Sequence, residues 1–318
     1  MRKEDFKKLR SIPIFANISE KALISLSKVL KEERWGEGER VIRTGDSADS
    51  IYLLKEGEVE VRKVLSRQPE KYKLLTILEE GDIFGEMAVF GEEYRSADVV
   101  VRKDSILWKM DYSELFHILN NDPHNGIEIL KVILTILTAR IRALNNELVT
   151  LYELSKLIPS LNDTETLTKA VFDQVLSSIE PAKSGLLAIW NTFNEEFDIY
   201  QSTEELKDPH LKQNDPISTW MFETRSPILI KESELDFRFS KTFYAGASFI
   251  ASPMLHEDRL LGFILLSHPT RKNAFNYNHM ILLSTVCTQV AARLNDIERK
   301  KEEILKQRLD QGRLTVNI

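Results

Sequence analysis

An α+β fold in three parts is predicted: an N-terminal antiparallel β-roll with flanking helices, a long coiled-coil helix, and a C-terminal antiparallel sheet with helices. Three observations carry this prediction. Up to about residue 110, short runs of Val, Ile, Leu and Tyr are punctuated by Gly-Asp and Glu-Gly pairs, the pattern of a barrel or roll. From Ile127 the apolar spacing changes to a heptad kept over four repeats. After Pro159, helical and strand patterns alternate, as in a mixed domain with an antiparallel sheet. The expected boundaries are 1–125 for the roll, 126–158 for a connecting dimerisation helix, 159–295 for the second domain and 296–318 for a helical extension.

The elements follow in order. Ser19 is the expected N-cap of a helix with Ala22, Leu23, Leu26 and Leu30 on one side. The strands of the roll are expected in "ERVIRTGD", "SIYLLKEGEVEVRKV", "KYKLLTILEEGD" and "SADVVVRKDSILWKM", with turns at the glycines. In the heptad, Ile127, Leu134, Ile141 and Leu148 take position a, and Leu130, Leu137, Leu144 and Leu151 take position d. Ile or Leu at a with Leu at d suits a parallel pair of helices. The alternative is one long helix burying its stripe against its own domain. The flanks Lys131, Thr138, Arg140, Asn145 and Glu147 offer little charge pairing. Pro159 is expected to end the helix, and Asp163 or Thr164 to cap the next one, over about 164–179. Strands are then expected at "SGLLAIWN" and "EFDIYQS", a short helix at "PISTWMFET", a strand at "SPILIKE", a hairpin in "SFIASPMLHEDRLLGFILLSH" and a long helix from near Asn278.

Composition narrows the function classes. A chain of 318 residues has room for two domains with their own cores. The net charge of −6 argues against broad nucleic-acid or anionic-membrane binding. Cys287 is the single cysteine, so an internal disulfide and a cysteine metal cluster are excluded, which suits a reducing cytoplasm. No apolar run has membrane-spanning length, and the start "MRKEDFKKLR" is charged and leads into no apolar core, so no secretory signal is expected. The six histidines are scattered without an HExxH motif, so no metal site is expected. No Walker-type loop, GxGxxG or GxSxG is present, and no catalytic function is expected.

The stretch "GDIFGEMAVFGEEYRSADVVV", residues 81–101, holds the candidate chemistry. Gly85 permits a positive φ or a close backbone approach ahead of "EMAVF", a segment expected to form one helical turn. Free N–H groups at such a turn suit an anion. Arg95 would meet the same anion with parallel hydrogen bonds, and Ser96 adds a hydroxyl. Glu86 repels a phosphate, so its expected work is to accept a hydrogen bond from a hydroxyl such as a ribose presents. An anion beside a diol describes a nucleotide.

"FGEMAVF" followed by "RSA" resembles the phosphate-binding cassette of cyclic-nucleotide-binding domains, the family of the bacterial catabolite activator and the kinase regulatory subunits. Nine positions separate Glu86 from Arg95, the cassette's usual length. "LRSIPIFANISEKALISLSKVL" is similar to the family's N-terminal helices and "GERVIRTGDSADSIYLLKEGEVEV" to its glycine-marked strands, so the resemblance covers about residues 6–150. It implies that Arg95 and Ser96 hold the cyclic phosphate with backbone donors around Glu86 and Met87, and that Glu86, beside Gly85, takes the ribose 2′-hydroxyl. In relatives, polar groups of the long helix meet the base; here Asn145 is the candidate, with a solvated helix residue as the plain alternative. Asp98 stands where relatives commonly carry Thr, and its carboxylate would weaken the attraction of Arg95 for a phosphate. In a degenerate domain, Arg95 would instead pair with Glu92 or Glu93 at the surface.

"ISTWMFETRSPILIKE", "DFRF" and "SFIASPMLHEDRLLGFILLSHP" with "LLSTVCTQVAARL" resemble a GAF domain over about 155–295. Arg225 replaces the glycine common in its turn, which implies a strained positive φ or an altered turn. The Asn-Lys-Phe-Asp-Glu pattern of cyclic-GMP-binding relatives is absent, and Cys287 sits among Leu283, Val286 and Val290 as a packing residue. The expected function is that of a cytoplasmic, bacterial-type signalling homodimer without an enzyme of its own. It would bind cyclic AMP ahead of cyclic GMP, need no cofactor, and act on an unidentified downstream protein. The rival is a dimeric scaffold that binds no small ligand.

Overall fold

The computed structural model describes residues 3–67, 70–87, 93–205, 210–212, 214–239 and 246–315. Contacts divide the chain into two units, Met1–Ala143 and Leu144–Ile318.

The first unit opens with α1 (Lys3–Ser11), a 3-10 turn at Pro13–Phe15 and α2 (Glu20–Val29). Ser19 caps α2 as expected: its hydroxyl accepts from the Ala22 amide at 3.2 Å, and Ala22, Leu23 and Leu26 are buried. The roll comprises β1 (Lys31–Trp35), β2 (Arg40–Ile42), β3 (Ser50–Arg67), β4 (Glu70–Glu79), β5 (Ile83–Phe84) and β6 (Asp98–Asp111). Its order is β1-β6-β3-β4, with β2 on β6 and β5 on β3, every pair antiparallel. Three details differ from the sequence reading, the first being the two-residue β5, which it did not expect as a strand. The charged "KEERW" forms β1, because pairing along β6 from Lys31↔Lys109 to Trp35↔Ser105 supplies what its own apolar content does not. Glu56-Gly57 makes no turn. It is a bulge inside β3, where the register slips and Gly57 takes φ 100°. A Cβ there would lie 2.2 Å from the Ser105 hydroxyl.

After α3 (Tyr112–Asn121) comes α4 (Pro123–Ser160). Pro159 does not end α4 by itself. It lies in the last turn and the helix stops one residue later. In the first unit, Ile129, Ile133 and Ile136 of α4 are buried in a core with Phe15, Leu23, Leu26 and Trp108. On another face Ile127, Leu134, Ile141, Leu144 and Leu148 are between 49% and 64% exposed. The helix therefore carries two apolar stripes, where the sequence reading saw one heptad: of its d positions only Leu144 is exposed, while Leu130 and Leu137 pack against the first unit's core and Leu151 against the second's.

The second unit contains α5 (Thr164–Ser178), capped by Asp163, whose carboxylate accepts from the Thr166 amide at 2.8 Å. Hydrogen bonds from the Thr166 hydroxyl and then its amide hold the Asp163 carboxyl below its ordinary value. Its sheet is built from β7 (Ser184–Asn191), β8 (Glu196–Ser202), β9 (His210–Lys212), β10 (Ile228–Ile230), β11 (Ser248–His256) and β12 (Arg259–His268). The order is β10-β11-β12-β7-β8-β9, antiparallel throughout. Residues of α5 and α7 (Tyr277–Thr315) form one core with the sheet, and α6 (Pro216–Thr224) joins the second core. In that second core the rings of Phe197, Phe239, Phe249 and Phe263 meet edge to face. Arg225 has φ 50°, the left-handed conformation its place after α6 demands, and its guanidinium donates to the Asp258 carbonyl at 2.6 Å. Cys287 is fully buried with its thiol donating to the Ser252 carbonyl, and burial pushes its pKa up to about 12. Among the described residues no helix is long and apolar enough to cross a membrane.

Candidate functional site

The cradle forms where β5 runs into Gly85. This glycine has φ 77°, and a Cβ on it would stand 2.7 Å from Arg95 Nη1 and 3.1 Å from the Ser50 carbonyl. Any side chain would push into the guanidinium, so glycine is required on two counts. The freed Gly85 carbonyl accepts from Arg95 Nη1 at 3.1 Å and from the Tyr112 hydroxyl at 2.6 Å.

Arg95 is 8% exposed. Its backbone is pinned by hydrogen bonds of 2.9 Å to Asp46 and from Gly45. Its Nη2 donates to the Ser50 hydroxyl at 3.0 Å, and among the described residues the closest carboxylate is the exposed Asp49 at 3.6 Å. Glu93 makes no ion pair with it. Glu92, the other surface partner considered, lies outside the described residues. Among the described residues the guanidinium is thus held by two neutral oxygens and one long ion pair to a solvated acid. Burying a cation on those terms is costly unless an anion joins it.

Glu86 is buried as well, 6% exposed. Arg140 of α4 donates to its Oε1 at 2.6 Å and also to the Ile83 carbonyl. Met87 and Ser96 are exposed, with the Ser96 hydroxyl 3.9 Å from the Met87 sulfur. Glu86 and Met87 enter a 3-10 turn, while the rest of the helical turn expected in "EMAVF" lies outside the described residues. Asn145 is exposed on α4 and falls in the second unit. Asp98 has other work than the sequence reading gave it. Its carboxylate accepts from the Thr44 amide at 2.6 Å and hydroxyl at 2.7 Å, and pairs with Arg40 at 3.1 Å. A buried acid engaged in this way braces β2 against β6.

Gly85, Glu86, Met87, Arg95 and Ser96 are therefore gathered at one end of the roll. The sequence reading missed Ser50, Tyr112 and Arg140, and for Arg140 a signal existed. Ile129, Ile133, Ile136 and Arg140 are spaced i, i+4, i+7, i+11, so this arginine continues the buried stripe.

Residues 32–122 match the family model described as the cyclic nucleotide-binding domain, and residues 165–295 match that of the GAF domain. The chain carries a cyclic nucleotide-binding domain followed by a GAF domain. The cyclic nucleotide-binding domain is similar to part of "cGMP-dependent protein kinase, isozyme 1" of Drosophila melanogaster, 39% identical over 93 residues. That match covers 29% of this chain and 12% of the kinase. The cGMP-dependent protein kinase egl-4 of Caenorhabditis elegans is 29% identical over 98 residues, 31% of this chain and 12% of the kinase. The match thus spans a small part of these relatives' length. Among solved structures, a cyclic nucleotide-binding domain from Methylobacillus flagellatus is 22% identical, with 51% of this chain and 86% of that chain covered and a TM-score of 0.40. The N-terminal domain of a transcriptional regulator from Streptomyces coelicolor is 21% identical, with 42% and 94% covered and a TM-score of 0.37.

Proposed function

We propose that this protein senses a cyclic mononucleotide and passes the signal on as a dimeric adaptor, without an enzyme of its own. Cyclic AMP is the first candidate ligand and cyclic GMP, named in the kinase relatives, the second. The observation that carries this reading is Arg95, a buried guanidinium whose nearest carboxylate among the described residues is 3.6 Å away and exposed. In the proposed complex the cyclic phosphate meets Arg95, Ser96 and the backbone around Glu86 and Met87, and the ribose 2′-hydroxyl donates to Glu86. Asn145 remains the candidate for the base.

Arg140 supplies the mechanism. It already holds the carboxylate that the ribose would use, so nucleotide occupancy changes the terms on which α4 is held. A ligand shifts a conformational equilibrium only through such a differential contact. The exposed stripe from Ile127 to Leu148 is the proposed dimer seam of α4, within the domain boundaries expected from the sequence. The working place is the cytoplasm of a bacterial-type signalling system, and the recipient is a separate protein. The scaffold reading draws on the same Glu86–Arg140 pair, as a site closed by its own helix.

Two experiments separate these readings. Glu86→Gln weakens binding of the parent nucleotide but makes little difference to a 2′-deoxy analogue, because the analogue never used the carboxylate; equal losses remove the ribose role. Analytical ultracentrifugation of the full chain returns a dimer that Ile141→Lys with Leu144→Lys dissociates, since like charges buried in the seam are strongly unfavourable. A monomeric parent at tens of micromolar ends the dimer claim.

A further inference from the structure

At the edge of the GAF sheet, β8 and β9 set Asp198 directly opposite His210, with Glu196 two residues before Asp198 on the same face. His210 Nδ1 lies 2.8 Å from Asp198 Oδ1 and 3.6 Å from Glu196 Oε1. One donor atom from each of the three lies within 4.8 Å of the others. Asn191 of β7 donates to the second Asp198 oxygen at 2.9 Å, which turns Oδ1 toward the imidazole. On the opposite face Phe197 and Leu211 are buried in the aromatic core, so both strands are anchored beneath the cluster.

We propose that Glu196, Asp198 and His210 form a binding site for a divalent transition-metal ion, one that goes beyond the nucleotide reading and does not depend on it. The donor set decides the class of ion. One imidazole nitrogen with two carboxylate oxygens suits Zn²⁺ or a neighbouring first-row ion better than Ca²⁺ or Mg²⁺, which favour all-oxygen shells. Among the described residues, Lys212 stands opposite Glu196, so its charge offsets one of the two carboxylates. Strand register fixes the donor spacing, and the Asn191 amide acts as the orienting group that metal-bound carboxylates commonly have. Small side-chain shifts bring the three atoms to tetrahedral separations, with water completing the shell. Such an ion would fasten the three-residue edge strand β9 to β8.

The test is calorimetric titration of the EDTA-treated full chain with ZnCl₂. Binding of one ion per chain is expected. Asp198→Asn and Glu196→Gln each weaken it at least about tenfold, Asn191→Ala by about tenfold, and His210→Ala abolishes it. His256→Ala, elsewhere in the same domain, leaves it unchanged. Asp198→Asn keeps the shape and the hydrogen-bonding reach of the side chain, so it decides the matter even if His210→Ala fails to fold. Absence of binding overturns the site. So does binding indifferent to Asp198→Asn, which would assign the ion to scattered surface histidines. Neither result depends on whether a cyclic nucleotide binds.

Discussion

Among the described residues the first unit buries Asp5, Lys55, Glu58, Glu86, Arg95 and Asp98, whereas the buried polar groups of the second unit are the hydroxyls of Thr150, Thr168, Ser218, Ser233, Ser248, Ser252 and Ser267. A buried charge needs a partner, and most of the six have one close by. Lys55 meets Asp5 at 2.6 Å and Glu32 at 2.7 Å, Glu58 meets Lys103, Asp98 meets Arg40 and Thr44, and Glu86 meets Arg140. Arg95 stands apart, with hydroxyl and carbonyl oxygens and a solvated acid at 3.6 Å. The shortfall in the GAF domain is neutral: among the described residues the buried Ser218 and Ser252 hydroxyls have no hydrogen-bond partner, but no charge is involved. Among its described residues the second core is filled with aromatic and aliphatic side chains, so its ordered interior is a matter of packing. The difference teaches where to look for a ligand: at the charge the fold leaves short, rather than at the domain whose buried polar groups are neutral.

The largest effect belongs to the packed side of this comparison. Phe263→Ala deletes a fully buried ring between Phe197 and the rest of the second core. It should cost about 3–5 kcal/mol of stability in urea unfolding, while nucleotide affinity changes less than twofold. A large loss of affinity with the fold intact would mean that the aromatic core belongs to the binding mechanism. A smaller effect sharpens the charged side. Arg140→Ala leaves the Glu86 carboxylate buried without its partner and should lower the stability of the nucleotide-free protein by about 1–3 kcal/mol. Saturating cyclic nucleotide should narrow that deficit, because a ribose hydroxyl returns a donor to Glu86. If the deficit is the same with and without ligand, Glu86 does not face the ribose.

How much of this was legible in the sequence differs between the same two sides. The elements of the GAF sheet were readable because each carries a local signal: Asp163 as cap, Pro216 opening α6, and the apolar hairpin strands β11 and β12. In the roll, local signals misled wherever a long-range partner decides the conformation. The charged β1 exists through β6, and Gly57 bulges because the Ser105 hydroxyl and the Asp104 carbonyl lie beneath it. The cassette residues were legible from their spacing, but their partners were not. Ser50 is 45 positions from Arg95, and Arg140 is 54 from Glu86. The heptad masked Arg140 as a flank, since one helix face suffices for a seam and the second, buried stripe has no polar contrast until Arg140 itself. The Asp198–His210 pair was hidden for the same reason, because β-pairing brings together residues 12 apart with no motif between them.

The most direct test is calorimetric titration of the full chain with cyclic AMP and cyclic GMP, run in parallel on Arg95→Ala. Micromolar-class binding of a cyclic mononucleotide to the parent is expected, weakened in the variant by about 2–5 kcal/mol as a charge-assisted phosphate contact is lost. Binding of equal strength in Arg95→Ala, or none to the parent, would contradict the claim that the charge at Arg95 is there for a phosphate.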